Sequence, residues 1–263
     1  MTDLQALFAD LAAEGTELDT LVAGLNADQW RGATAAPGWT VAHQISHLAW
    51  TDQVATLAAT DPTAFAERVE EALRAPTSFA DTAAEEGALL PSADLLAEWR
   101  SGRLEMLSAL ADVPAGRKLP WFGPPMSAAS MATARLMETW AHGQDIVDGL
   151  ALSRQPTARL RHVAHIGVRT VGFAFTLHDL PVPTEPFHIE LTAPDGESWT
   201  WGAPDAADRI SCTALDFCLL VTQRRHPDDL TLDVHGAQAQ QWVPIAQAFA
   251  GLPGEGRKAG QFQ

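Results

Sequence analysis

The chain has 263 residues, 46% of them hydrophobic and 19% charged, with nine Trp and no Tyr; this balance supports a sizeable core and excludes a disordered chain. Its formal charge of -16 at pH 7 excludes the basic surface that nucleic acid requires and disfavours an anionic membrane as partner. The length fits one large domain or two modest ones, and the change of pattern described below favours two.

The segment Met1-Thr2-Asp3-Leu4-Gln5 lacks the basic region of a signal peptide, and no apolar run reaches the roughly 18 residues of a spanning helix, so the cytoplasm is the expected location. Leu4, Leu7, Phe8, Leu11, Leu18, Leu21, Val22 and Leu25 recur at helical spacing and predict a long helix over about residues 3–25, with Gly15 a modest interruption. After the loop 31–38, Thr40 caps a second predicted helix that runs to about residue 60 and carries His43 and His47. A short helix over 62–74 follows. Ser92, behind Pro91, is the capping candidate of the next, on which Leu96, Trp99, Arg103, Met106 and Leu110 trace one face. A fourth long helix over 127–149, capped by Ser127, places Met131, Arg135, Glu138, His142 and Asp145 in one narrow sector. A fifth helical segment over 156–178 starts with Pro156 at a favourable first position.

The pattern then changes. Phe187, Ile189 and Leu191 alternate with polar residues, Asp195-Gly196 reads as a turn, and Trp199-Thr200-Trp201 as a second strand. A helix near 208–224, a strand at Leu230–Val234 and a helix near 237–250 complete the expectation. The fold class is therefore α+β: a helical bundle over 1–180 and a small α+β domain over 181–263, with the boundary at Pro181, Pro183 and Pro186. Cys212 and Cys218, six apart, suit neither a disulfide framework nor a paired-cysteine zinc motif and read as buried free thiols.

Glu138 and His142 are four residues apart on one predicted helix, which puts both side chains on one face, within reach of one metal ion. His47, about ninety residues upstream, becomes a third ligand if a bundle brings the two helices together. Three protein ligands leave a four-coordinate ion one open position, the mark of a catalytic site. Glu-x-x-x-His alone also arises as an exposed pair or a packed core histidine. His43, one turn before His47, competes with it as ligand. Asp145, three residues beyond His142, is a candidate to orient that imidazole from behind, or a helix-surface carboxylate. Arg103 and Arg135 fall on inward sectors and are candidates to grip a substrate carboxylate; the alternative for each is an ion pair with a bundle acid such as Asp52 or Asp145.

The runs Pro37-Gly38-Trp39-Thr40-Val41-Ala42-His43-Gln44-Ile45-Ser46-His47-Leu48-Ala49 and Glu138-Thr139-Trp140-Ala141-His142-Gly143-Gln144-Asp145, followed by an α+β tail, resemble the mycothiol-dependent maleylpyruvate isomerase family. Its N-terminal half is a DinB-like four-helix bundle. The resemblance implies that His47, Glu138 and His142 bind a divalent metal, usually zinc, and that His47 rather than His43 is the ligand. It implies mycothiol, a sugar-linked thiol, as cosubstrate, acting as a metal-bound thiolate that adds to an electron-poor double bond and is then eliminated, in an isomerase, or displaces another group, in an S-transferase. It aligns Arg225, in Leu219-Leu220-Val221-Thr222-Gln223-Arg224-Arg225, with an arginine that holds substrate or thiol; the glycine usual before it is Arg224 here. Trp242–Gly251 looks like a feature of an actinobacterial subgroup of poorly defined activity. The expected partner is a small-molecule substrate, with the chain a monomer or homodimer. A hydrolase using metal-bound water, and a non-catalytic metal or ligand carrier, are the alternatives.

Overall fold

A computed structural model describes residues 4–75, 78–251, 254 and 256–262. The chain forms two compact units, Met1–Ser153 and Arg154–Gln263.

The first unit is helical: α1 (Leu4–Ala23), α2 (Ala27–Trp30), α3 (Val41–Thr60), α4 (Pro62–Arg74), α5 (Phe79–Ala88), α6 (Ser92–Ala111) and α7 (Ala128–Gly149). The four long members form a DinB-like four-helix bundle in which α3 packs on α6 and α7, and α1 on α7 and α6. Leu18 and Val22 of α1, Ile45 and Leu48 of α3, Leu95 and Trp99 of α6 and Ile146 of α7 meet in one buried cluster; a fully buried aliphatic side chain contributes about 1.5–3 kcal/mol.

The start of α3 shows why the chain turns helical there. Thr40 sits at the N-cap with extended backbone, its hydroxyl accepts from the His43 N–H, and the His43 ring reaches back to the Thr40 N–H, so two N–H groups that the helix leaves open are satisfied. Ser127 caps α7 by accepting from the Ser130 N–H. Ser92 does not cap α6: it is the first helical residue, behind Pro91, which has no side-chain acceptor. Two short helices were not expected. Asn26 closes a capping box onto Gln29 at the start of α2, and α5 buries Ala84 alone. α5 packs on α3 through small residues: a side chain at Gly87 would run into the Ser46 hydroxyl.

The second unit holds α8 (Leu160–Arg169), α9 (Val171–Leu177), β1 (His188–Thr192), β2 (Ser198–Trp201), β3 (Arg209–Thr213), α10 (Ala214–Val221), β4 (Asp233–His235) and α11 (Ala237–Trp242). The sheet order is β2-β1-β3-β4. β1 and β2 are antiparallel, Ile189 opposite Trp201; β1 and β3 are parallel, Ile189 beside Ile210; β3 and β4 are antiparallel. Gly196 takes a φ of +88° in the β1–β2 turn, a conformation glycine adopts without steric cost.

Four expectations are corrected here. The boundary lies between Ser153 and Arg154, not near residue 180. The predicted segment 156–178 is two helices, α8 and α9, and α8 packs on α10, so closely that a Cβ on Gly167 would lie 2.8 Å from Val221. The predicted helix 208–224 begins as strand: Arg209–Thr213 is β3, and Thr213 then caps α10 by accepting from the Asp216 N–H. The predicted last helix is shorter, ending at Trp242. Among the described residues no helix is long and apolar enough to cross a membrane.

Candidate metal centre

His47, Glu138 and His142 come together, as one donor atom from each lies within 4.8 Å of the others. α3 supplies His47 and α7 the other two. Glu138 Oε2 is 3.1 Å from His142 Nε2 and 3.9 Å from His47 Nε2, and the three side chains are only 11–21% exposed. Burial pushes the Glu138 carboxyl up, but the imidazoles of His142 and His47 and the Arg135 guanidinium outweigh it and hold that carboxyl well below the usual carboxylate range. A carboxylate and two imidazole nitrogens therefore converge on one point.

The donor set fits a metal ion in spacing as well as chemistry. Ligand bonds of about 2.1 Å at tetrahedral angles set donor atoms about 3.4 Å apart; the two carboxylate–imidazole distances, 3.1 and 3.9 Å, straddle that value, and the two imidazoles offer nitrogens within 4.8 Å of each other. His142 is also held from behind: its Nδ1 lies 2.5 Å from Gln44 Oε1. An amide oxygen only accepts, so the Nδ1 proton points to Gln44 and the Nε2 lone pair points to the convergence point. His47 Nδ1 is buried and has no hydrogen-bond partner among the described residues.

Aromatic rings border this cluster. The Trp39 indole stacks on His142 at 5.8 Å and 15°, and lies 5.3 Å from His47. Trp50 is 6.1 Å from His47 and continues to Phe79 at 5.0 Å and Phe122 at 6.3 Å; Phe122 is 37% exposed. The Trp39 indole N–H donates to Asp81 of α5 at 3.0 Å, tying the loop before α3 to that helix.

The remaining candidates fall elsewhere. His43 is not in the donor cluster; its Nδ1 lies 2.7 Å from the Thr40 hydroxyl, in the capping box. Gln44, not Asp145, meets the back of His142. Sequence reading passed over Gln44, although it lies three residues before His47 on the same helix, as a polar residue on a face otherwise given to Val41, Ile45 and Leu48. Arg135 is buried and donates to Asp52 at 3.0 Å and to Thr51 at 2.6 Å, which is the ion-pair alternative. Burial pushes the Asp52 carboxyl up, against Arg135, Trp99 and His47, which lower it. Arg103 donates to Asp19 at 2.6 Å and lies 4.8 Å over the Trp99 ring; its acid comes from α1, not from Asp52 or Asp145. Arg225 belongs to the second unit, past the end of α10, where Gln223 turns the backbone with a φ of +58°. It donates to the Arg224 carbonyl at 2.7 Å, lies 4.9 Å over Phe262, and lines a cleft of about 360 Å³ with His226, Asp228 and Arg257.

A DinB-like bundle with a two-histidine, one-glutamate cluster between α3 and α7 sets the class of the first unit. Residues 11–147 match the family model described as the mycothiol maleylpyruvate isomerase N-terminal domain, and the chain belongs to that family. Residues 183–234 match a second model, described as wyosine base formation, over a span that holds β1, β2, β3 and α10. Among curated proteins, the chain is 55% identical over 257 residues to an uncharacterized protein of Mycobacterium tuberculosis, found in two strains, covering 98% of this chain and 100% of the relative. Among solved structures it is similar to a mycothiol-dependent maleylpyruvate isomerase, with a TM-score of 0.59 and 12% identity, over 84% of this chain and 89% of that one. A histidine-to-alanine mutant of that enzyme gives a TM-score of 0.57 over the same shares. At this identity the likeness is one of fold.

Proposed function

We propose that the chain is a metal-dependent enzyme that uses a small thiol, mycothiol first, to isomerise or substitute a small unsaturated electrophile. The observation that carries this reading is the donor cluster of His47, Glu138 and His142 within 4.8 Å, in a member of a mycothiol isomerase family. A bound divalent ion, zinc first, would lower the pKa of a coordinated thiol, so that the nucleophile forms at neutral pH with no separate base.

Everything else in the reading falls to the chain's own side chains. His47 and His142 supply neutral nitrogen donors and Glu138 one negative charge, leaving a dication in this site with net positive charge to act on a thiol or a carbonyl oxygen. The rings of Trp39, Trp50 and Phe122 give a flat, conjugated electrophile a face to stack on and limit water at the site. In the isomerase outcome the thiolate sulfur bonds to one alkene carbon, the resulting single bond rotates, and elimination returns the thiolate and the other isomer, so the thiol is not consumed. In the transferase outcome a different group leaves and the sulfur remains on the product. Arg225 is the arginine that the family pattern offers to substrate or thiol, and it lines a cleft of the second unit with His226 and Arg257.

Elemental analysis of the purified protein should find about one equivalent of metal, and calorimetry should detect mycothiol binding to the zinc-loaded protein but not to the metal-free protein or to His142→Ala. Stoichiometric zinc without mycothiol binding would defeat the thiol reading and leave metal-bound water or a carrier role. Absence of metal, with His47→Ala indistinguishable from native, would defeat the metal reading itself.

A further inference from the structure

We propose that Gln44 is a positioning residue that selects the nitrogen His142 offers to the metal, and that its own orientation is dictated by the backbone carbonyl of Trp39. The inference rests on the metal reading above and adds a residue to it.

Gln44 is fully buried and makes two hydrogen bonds of opposite sense. Its Nε2 donates to Thr34 Oγ1 at 2.8 Å and its Oε1 faces His142 Nδ1 at 2.5 Å. Either end of an amide could face the imidazole, so something must fix the direction. The Thr34 hydroxyl does so. It donates to the Trp39 carbonyl at 2.9 Å, and with its one proton committed, its oxygen accepts from Gln44. The carbonyl cannot turn to become a donor, and it is held in place by a second bond, from the Thr34 N–H at 2.8 Å. Polarity therefore runs one way, from imidazole N–H to amide oxygen and from amide N–H to hydroxyl to carbonyl. The Nδ1 tautomer of His142 follows, with the Nε2 lone pair turned toward Glu138.

The same loop fixes the plane of the ring. Trp39, whose carbonyl anchors the chain of hydrogen bonds, stacks its indole on His142. The loop is seated on α7: the Ala35 N–H donates to the Asp145 carbonyl at 3.3 Å, and Gly149 lies so near that a Cβ there would be 2.7 Å from the Ala33 oxygen and the Thr34 Cα. One segment, residues 33–40, thus grips a ligand imidazole on its edge through Gln44 and on its face through Trp39. A neutral amide behind the ring, in place of the carboxylate common behind metal-bound histidines, leaves His142 an uncharged donor.

The test is zinc affinity, measured by competition with a chromophoric chelator at constant pH, for the native protein, Gln44→Met, Gln44→Glu, Thr34→Val and the Thr34→Val/Gln44→Met double variant. Melting of each metal-free protein serves as the control for folding. Gln44→Met should lower affinity by about 10–100-fold. Thr34→Val should lower it less, and the double variant should be no weaker than Gln44→Met alone, because the hydroxyl acts through the amide. Gln44→Glu keeps an acceptor for the Nδ1 proton and should recover most of the loss. A Gln44→Met protein that binds zinc as tightly as native overturns the proposal, and so do independent, multiplying losses in the double variant. A native protein that binds no zinc overturns the metal reading, a result distinct from either.

Discussion

Arg135 and Asp52 give the sharpest test of how the bundle and the site depend on each other. Their side chains are 2% and 4% exposed, and Arg135→Met would leave the Asp52 carboxyl buried without its partner. Breaking a buried ion pair from one side costs about 3–5 kcal/mol. Burial already pushes the Asp52 carboxyl up, so it takes a proton readily once Arg135 is gone, and the lower end of that range applies, about 3 kcal/mol. For a unit of this size, at about 2–4 °C per kcal/mol, the metal-free variant should melt roughly 6–12 °C below native. The double variant Asp52→Val/Arg135→Met removes both charges and should return to within about 1 kcal/mol of native stability. Thermal and urea melting of native, Arg135→Met, Asp52→Val and the double variant measure the cycle, and calorimetry with mycothiol on the zinc-loaded forms measures the site. A double variant as unstable as Arg135→Met would refute the argument from an uncompensated charge. A stable double variant that has lost mycothiol binding would give Arg135 a direct part in holding the thiol.

The Arg100 guanidinium, against partial burial and with Arg103 beside it, holds the Asp19 carboxyl below its ordinary value. A depressed carboxyl stabilises the fold above its unfolded pKa and loses that contribution as pH falls through the folded value, so Asp19→Asn should melt below native at pH 7 and the gap should close below about pH 4; a gap of constant size down to pH 2 would contradict the ion pair. Burial, with Asp216 nearby, pushes the Cys212 thiol up to about 12, and burial raises Cys218 well above its ordinary value, so a thiol reagent at pH 8 should label neither until denaturant is added. Prompt labelling of the native protein would show that the second unit opens readily. Phe122→Ala, at a 37% exposed ring, should barely change melting yet raise KM for a conjugated substrate about two- to twelvefold with kcat unchanged, the worth of one aromatic contact; an unchanged KM would remove the rim from the substrate's path.

Local chemistry was legible in the sequence where it is self-contained. Thr40 and Ser127 announce α3 and α7 because a capping hydroxyl acts on N–H groups within three residues, and the Glu138–His142 spacing needs only the helical period. What stayed hidden depends on partners distant in the chain. β3 reads as helix because Ile210 and Cys212 are apolar in a short run that joins directly onto α10, and only its pairing with β1 and β4 makes it a strand. α5 has no apolar stripe, since its fit on α3 relies on the absence of a side chain at Gly87. α8 is as helical as the bundle and reads as part of it, but period says nothing about which unit a helix packs against. Gln44 was overlooked because its importance lies in Thr34 and His142, and an isolated glutamine carries no signal of either.

Polar links join α3 to α7 at three levels: Gln44 to His142, His47 to Glu138, and Thr51 and Asp52 to Arg135. The positions rise along one helix as they fall along the other, so the links act as successive teeth of an antiparallel zip. Helices joined by leucines alone can slide, because one aliphatic contact resembles the next. Here a slip of a single residue, about 1.5 Å, would separate all three pairs at once and leave two buried charges and a buried amide facing hydrocarbon. The residues proposed to hold the metal thus also act as an alignment key for the bundle, and a one-residue insertion in either helix between the first and last link should be far less tolerated than the same insertion in α4 or α5.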